Sequence, residues 1–166
     1  KHQLKSLSAV KQRGRLKLNT QLALIANPVA GGGKWKTYKE EILSHLNSQF
    51  RVTIYETTPE LNATWQAHQA IKAGNEILIA CGGDGTVTEV ATVTREHQKV
   101  LGIIPLGTAN ALSQIVYGLR SKLAPITRAC EVICEQQYTP VDTAECNGRL
   151  MLLVSAIGFE SQMIEH

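Results

Sequence analysis

Ala80-Cys81-Gly82-Gly83-Asp84-Gly85-Thr86-Val87-Thr88-Glu89-Val90 carries more information than any other stretch of this 166-residue chain. An apolar strand pattern, Ile77 to Cys81, runs into it, and a helix face of Val87, Val90 and Ala91 runs out of it. Gly82, Gly83 and Gly85 carry no Cβ, so backbone N–H groups can close on an anion and the chain can turn sharply. A helix starting here adds the positive end of its dipole. Asp84 sets one carboxylate inside that anion-seeking loop. Its charge belongs there if a divalent cation, or a hydroxyl to be deprotonated, mediates between it and a phosphate. The plainer alternative is a glycine-rich turn with Asp84 as turn residue or helix cap, and the neighbouring motifs weigh against it.

Outward from this loop, short apolar runs alternate with amphipathic stretches. Leu22 to Ala26 reads as a buried strand stopped by Asn27-Pro28, and Tyr38, Ile42 and Leu46 mark a helix face. Val52, Ile54 and Tyr55 form a second strand. Thr58-Pro59-Glu60 is expected to open a helix bearing Leu61, Trp65 and Ile71 and closed by Gly74. His68 on that helix reads as an interfacial core histidine, with no second histidine or carboxylate placed to join it. Strand 77–81, helix 86–94 and strand 101–104 follow, then helices over about 109–117 and 124–135. Strands alternating with helices imply a parallel sheet with right-handed crossovers, and ligands at the carboxyl ends of its strands. Three glycine-bearing loops, 27–34, 82–86 and 105–110, all fall on that edge. Around the Asn147-Gly148 turn, residues 141–154 read as a hairpin. It looks like the opening of a β-rich second domain that is cut short. The expected organisation is a basic tail or linker over 1–20, an α/β domain over 21–140 and an incomplete β domain over 141–166.

Bulk properties narrow the function. No apolar run has the ~18–20 residues of a membrane span, and no signal peptide is evident. Cys81, Cys130, Cys134 and Cys146 form no C-x-x-C pair and no zinc spacing with histidines. Cys130 and Cys134 read as buried, reduced thiols, which points to the cytoplasm. Residues 1–20 hold six basic residues and no acid, whereas the remainder carries a net charge of −3. Without its tail the chain lacks the basic, aromatic-rich face of a nucleic-acid binder, so no nucleic-acid partner is expected.

The loop Asn27-Pro28-Val29-Ala30-Gly31-Gly32-Gly33-Lys34 is not a Walker loop, because Trp35 follows Lys34 where Ser or Thr is required. The third loop reads Pro105-Leu106-Gly107-Thr108-Ala109-Asn110; Thr108 is placed to cap the next helix and Asn110 to bridge loops. In this order and after successive strands, the three loops resemble the diacylglycerol kinase catalytic family, which includes sphingosine kinases and bacterial lipid kinases. That family shows an Asn-Pro-x-[Ser/Ala]-Gly loop, a Gly-Gly-Asp-Gly-Thr loop followed by Glu, and a Pro-x-Gly-Thr-x-Asn loop. The resemblance covers about residues 21–166. The Gly-Gly-Asp-Gly-Thr core alone is shared with NAD kinases and phosphofructokinases.

The resemblance implies an α/β, Rossmann-like parallel sheet with helices on both faces. It implies ATP as phosphoryl donor, Mg²⁺, and a diacylglycerol-like lipid at a membrane surface as acceptor, hence a kinase of lipid metabolism and phospholipid biosynthesis. Carried over by position, Asn27, Pro28, Val29, Ala30 and Gly31 would line the nucleotide, with Thr57 near the adenosine. Gly82, Gly83, Asp84, Gly85 and Thr86 would cradle phosphates and Glu89 would support their loop. Thr108 and Asn110 would contact the nucleotide, and Asp84 would act through Mg²⁺, directly or by way of water. A homodimer is a possible assembly. Departures are also present. Ala111 stands where the family often has Asp; Leu153 and Glu160 replace an Asn and an Asp; and no Asp-Gly-Glu, the segment that usually supplies the general base, occurs in the chain. An NAD kinase-like phosphotransferase and a catalytically inactive nucleotide-binding regulatory module are the alternatives.

Overall fold

The computed structural model describes residues 20–117 and 126–152. The basic tail through residue 19, the expected start of the last helix at 124, the end of the hairpin and positions 153 and 160 lie outside the described residues.

Four strands, β1 (Thr20–Ala26), β2 (Phe50–Glu56), β3 (Ile77–Gly82) and β4 (Val100–Pro105), form one parallel sheet in the order β2-β1-β3-β4. The central strands are continuous apolar runs over Leu22 to Ala26 and Ile77 to Cys81 because both their faces are covered there, and these residues are buried. Successive side chains therefore feed two cores. Leu22, Leu24, Ala26, Ile77, Ile79 and Cys81 pack under α1 (Lys34–Leu46) and, further along the chain, α5 (Ile126–Cys134). Ala23, Ile25, Leu78 and Ala80 pack under α2 (Ala63–Lys72) and α3 (Asp84–Glu96). A short α4 (Ala111–Val116) follows β4. The sheet with helices on both faces is as the sequence implies.

Several boundaries differ from expectation. α2 begins at Ala63, not near Thr58, because the Asn62 side chain accepts the Trp65 N–H and caps the helix there. Thr58 and Leu61 instead close a turn by exchanging backbone hydrogen bonds. The buried residues of α2 are Ala63, Ala67 and Ala70, small residues that let the helix lie close on the sheet, and Gln66, which donates to the Glu56 carbonyl, while Trp65 is 45% exposed. The hairpin pairs β5 (Ala144–Cys146) with β6 (Arg149–Met151) through the Asn147-Gly148 turn, and Arg95 of α3 reaches Glu145 at 2.7 Å. Leu152, just past the hairpin, is partly buried against the α2–α3 core.

The β4 edge is closed by a side chain. The Tyr117 hydroxyl accepts the Ile103 N–H at 2.9 Å and donates to the Ile103 carbonyl at 2.7 Å; burial pushes the phenol up to about 12 although the backbone hydrogen bond acts the other way. Burial likewise raises Cys81 well above the usual thiol range, Cys130 to about 12, and Cys134. All four cysteines are free; Cys146 is exposed on the hairpin.

Candidate nucleotide site

The strand order reverses between β1 and β3: β1 leads to β2 on one side, and β3 leads to β4 on the other. Helices on opposite faces diverge at such a point and leave a crevice at the strand ends. The loops after β1 and β3 meet here. Asn27 Nδ2 lies 3.4 Å from Thr86 Oγ1, and Asn27 Oδ1 accepts the Val29 N–H at 3.1 Å, which turns the chain away from the sheet. Beside them opens a cavity of about 290 Å³. Its walls are Asn27, Pro28 and Val29 from the first loop, Thr57, Thr58 and Pro59 after β2, Asn62 and Ala63 at the start of α2, and Thr86 and Glu89 on α3.

A second cluster joins the loops after β3 and β4. The Gly82 carbonyl accepts both the Leu106 and Gly107 N–H groups, at 3.0 and 3.2 Å. Gly83 and Gly107 touch through their backbones, and a side chain on Gly107 would collide with Gly83. Asn110, at φ 51°, donates Nδ2 to the Gly107 carbonyl at 2.8 Å. Asp84 completes this cluster: Oδ2 accepts the Ala111 N–H at 3.2 Å and Oδ1 the Leu112 N–H at 3.3 Å. Asp84 is therefore a helix cap after all, but of α4 rather than of its own helix. Thr108, expected to cap α4, is exposed and makes no such bond. Asn110 bonds within its own loop rather than between loops.

α3 starts at Asp84 with Gly83 before it and no side-chain cap. Its first-turn amides, at the positive end of a 13-residue helix, thus have no side-chain cap and are of the kind that can receive an anion. Glu89 does not brace the glycine loop. Its Oε2 accepts the Thr64 N–H at 3.1 Å, clamping α3 to the start of α2 on the cavity wall. Lys34, set aside with the failed Walker pattern, extends its ammonium to the Gly107 carbonyl at 3.3 Å and so links the first loop to the third.

The sequence-predicted residues thus form two adjoining groups. Asn27, Pro28, Val29, Thr57, Thr86 and Glu89 line the cavity, whereas Gly82, Gly83, Asp84 and Asn110 build the junction of the second and third loops. Ala30 and Gly31 lie where the first loop packs on the third, Gly31 against the Leu106 carbonyl. Thr58, Pro59, Asn62 and Ala63 were missed as cavity residues; the Asn62 cap signature before Ala-Thr-Trp was the available signal. Nearby, Glu56 at the end of β2 accepts Trp35 Nε1 at 2.8 Å and Lys39 Nζ at 3.0 Å, and these hydrogen bonds hold its carboxyl below the usual range.

The residues present fit a magnesium ion. Mg²⁺ keeps most of its water and takes one or two carboxylates beside substrate phosphates. Among the described residues each Asp84 oxygen accepts one amide, at long distance, and the buried Asn110 Oδ1 has no hydrogen-bond partner. Ala111 adds no second carboxylate.

The diacylglycerol kinase catalytic domain family matches residues 21–146. The chain belongs to that family. Over 143 residues it is 32% identical to a diacylglycerol kinase of Staphylococcus haemolyticus, spanning 84% of this chain and 42% of that relative. An uncharacterized protein of Synechocystis sp. is 40% identical over 153 residues, 86% of this chain and 34% of that protein. A solved diacylglycerol kinase from Bacillus anthracis superposes with a TM-score of 0.70 at 30% identity, covering 83% of this chain and 47% of that one. The chain therefore spans less than half the length of these diacylglycerol kinases. Among the described residues no helix is long and apolar enough to cross a membrane.

Proposed function

We infer that this chain is the nucleotide-binding part of a lipid kinase that transfers the γ-phosphoryl group of ATP to a diacylglycerol-like hydroxyl at a membrane surface. The observation that carries the reading is the junction at the switch point: uncapped amides of α3 beside a lone carboxylate, Asp84, next to a cavity walled by the first loop and α2. Phosphoryl transfer asks mainly for positioning and charge neutralisation, which backbone donors and one metal-directed carboxylate supply. In this reading Asn27 to Val29, Thr57 and Glu89 receive the nucleoside, and Gly83 to Thr86 its phosphates. Asp84, with Asn110 behind it, holds Mg²⁺ directly or through water. When bound, Mg²⁺ neutralises phosphate charge. Residues 21–140 serve as the nucleotide-binding unit and 141–166 as the start of the next, with the general base expected beyond it.

The test is a labelled-ATP assay on the full-length protein with a panel of lipids and with NAD. Transfer to a glycerolipid hydroxyl supports the reading, and transfer to NAD alone would replace it. The second reading, an inactive nucleotide-binding module, has its own support in Ala111, whose N–H occupies Asp84 where a carboxylate is common in the family. Nucleotide binding by calorimetry with no transfer to any acceptor would favour that reading. Asp84→Asn should remove transfer almost completely; activity within about tenfold of wild type would exclude an essential role, since metal-directed charge is worth several kcal/mol. Gly83→Val should weaken Mg-ATP binding by filling the space a phosphate needs, and unchanged affinity would mean that the loop faces elsewhere.

A further inference from the structure

The outer side of the α2–α3 pair carries a cluster that the sequence did not reveal. Thr64 and His68 lie four apart on α2 and so share a face, and Thr64 is clamped to α3 by Glu89. One turn further along, His68 meets the end of α3. Its ring and that of His97 are 5.6 Å apart, edge to face at 82°. Glu96 stands beside them, and ligand atoms of His68, Glu96 and His97 all lie within 4.8 Å of one another. His68 is therefore not a lone core histidine: it is partly exposed, and both a second histidine and a carboxylate have joined it. Among the described residues none of the three side chains makes a hydrogen bond or ion pair, although neighbouring Arg95 and Lys99 are engaged by Glu145 and Glu76.

The backbone holds His97 in place. Gln98 takes a left-handed conformation at φ 52°, its N–H bonds to the Arg95 carbonyl, and the Lys99 N–H bonds to the Thr94 carbonyl at 2.9 Å. This is the helix-ending pattern usually given to glycine, as Gly74 does at the end of α2.

We propose that His68, Glu96 and His97 form a binding site for a divalent transition-metal ion of the zinc class, which clips α2 to α3. Two imidazoles and one carboxylate suit Zn²⁺, Ni²⁺ or Cu²⁺ and disfavour Mg²⁺, which prefers oxygen ligands. Zinc–ligand distances of about 2.0–2.2 Å place the ligand atoms of one tetrahedral ion about 3.3 Å apart. The exposed Glu96 and His97 side chains can close the remaining gap by rotation, with water as fourth ligand. The site is independent of nucleotide chemistry and lies on helices whose first turns wall the cavity.

The experiment is calorimetric titration of ZnCl₂ into the untagged full-length protein with Mg²⁺ in excess. Wild type should bind one zinc-dependent equivalent that His68→Gln and His97→Gln each weaken by at least about tenfold, with Glu96→Gln smaller. Zinc should also raise the melting temperature of wild type and leave that of the two histidine variants unmoved. His97 is exposed, so His97→Gln keeps the comparison available if His68→Gln disturbs the helix pair. Absence of zinc binding by wild type, or equal affinity and equal melting shift in His97→Gln, would overturn the proposal. The latter result would assign the metal to other histidines or to thiols.

Discussion

The loops after β1 and β3 each carry three glycines at the same edge of the sheet, yet they use them differently. Gly31, Gly32 and Gly33 have φ of 57°, 76° and 88°, a path that side chains resist, so the first loop is held by backbone conformation. In the second loop Gly83 lies at φ −89° and none of its glycines is left-handed. There glycine supplies room: a Cβ on Gly82 would stand 2.5 Å from Thr86 Oγ1, and Gly83 lies so near the third loop that a Cβ on Gly107 would stand 2.4 Å from its Cα. A turn-forming loop and a space-making loop look alike in sequence and respond differently to substitution.

The sharpest way to break that comparison is Gly31→Ala. The new methyl would collide with the Leu106 carbonyl in a left-handed conformation, so a loss of about 2–4 kcal/mol is expected in urea unfolding. A loss below about 0.5 kcal/mol would show that the first loop adjusts freely. Asp84→Ala comes next, because it frees two amides at the start of α4. Stability should fall by about 1–2 kcal/mol, with faster hydrogen exchange at Ala111 and Leu112. Unaltered exchange there would detach α4 from the second loop. Asp84→Asn keeps one acceptor oxygen and should cost less stability, while still removing the charge.

A smaller effect concerns Glu56, whose depressed carboxyl adds stability above the unfolded-state value of about 4.3. That contribution is lost as pH falls through the lower folded-state value. Glu56 is 44% exposed, so solvent screening limits it to below about 1 kcal/mol. Acid unfolding of Glu56→Gln should flatten between about pH 5 and 3 relative to wild type; superimposable curves would show that the Trp35 and Lys39 contacts contribute nothing. The smallest change, and of opposite sign, is Gly85→Ala. Gly85 is helical and open within 4 Å, so stability should rise by about 0.5–1 kcal/mol. Destabilisation would mean that the second loop also depends on glycine conformation.

Much of the fold was legible because its signals are local. Leu22 to Ala26 and Ile77 to Cys81 read as strands buried on both faces, and the loops that follow them mark the sheet edge where the cavity opens. Reading failed where a local signal had a rival. Thr58-Pro59-Glu60 has the composition of a helix start, but Asn62 lies nearer the apolar stripe and its cap prevails. The helix is read from its large apolar residues Leu61, Trp65 and Ile71, whereas its contact with the sheet is made largely by alanines.

The sequence by itself determined the alternation of strands and helices, the family, and a carboxylate set among glycines after β3, since each depends on residues a few positions apart. Only the tertiary structure decided the strand order that puts the switch point between β1 and β3, and the use of Asp84 to anchor α4 across 27 positions. It also gave Glu89 to the start of α2 and brought His68 against His97. These pairings follow from crossover direction and from how far two helices slide along one another. Both are fixed by packing over the whole sheet, and no stretch of chain short enough to read in sequence contains them.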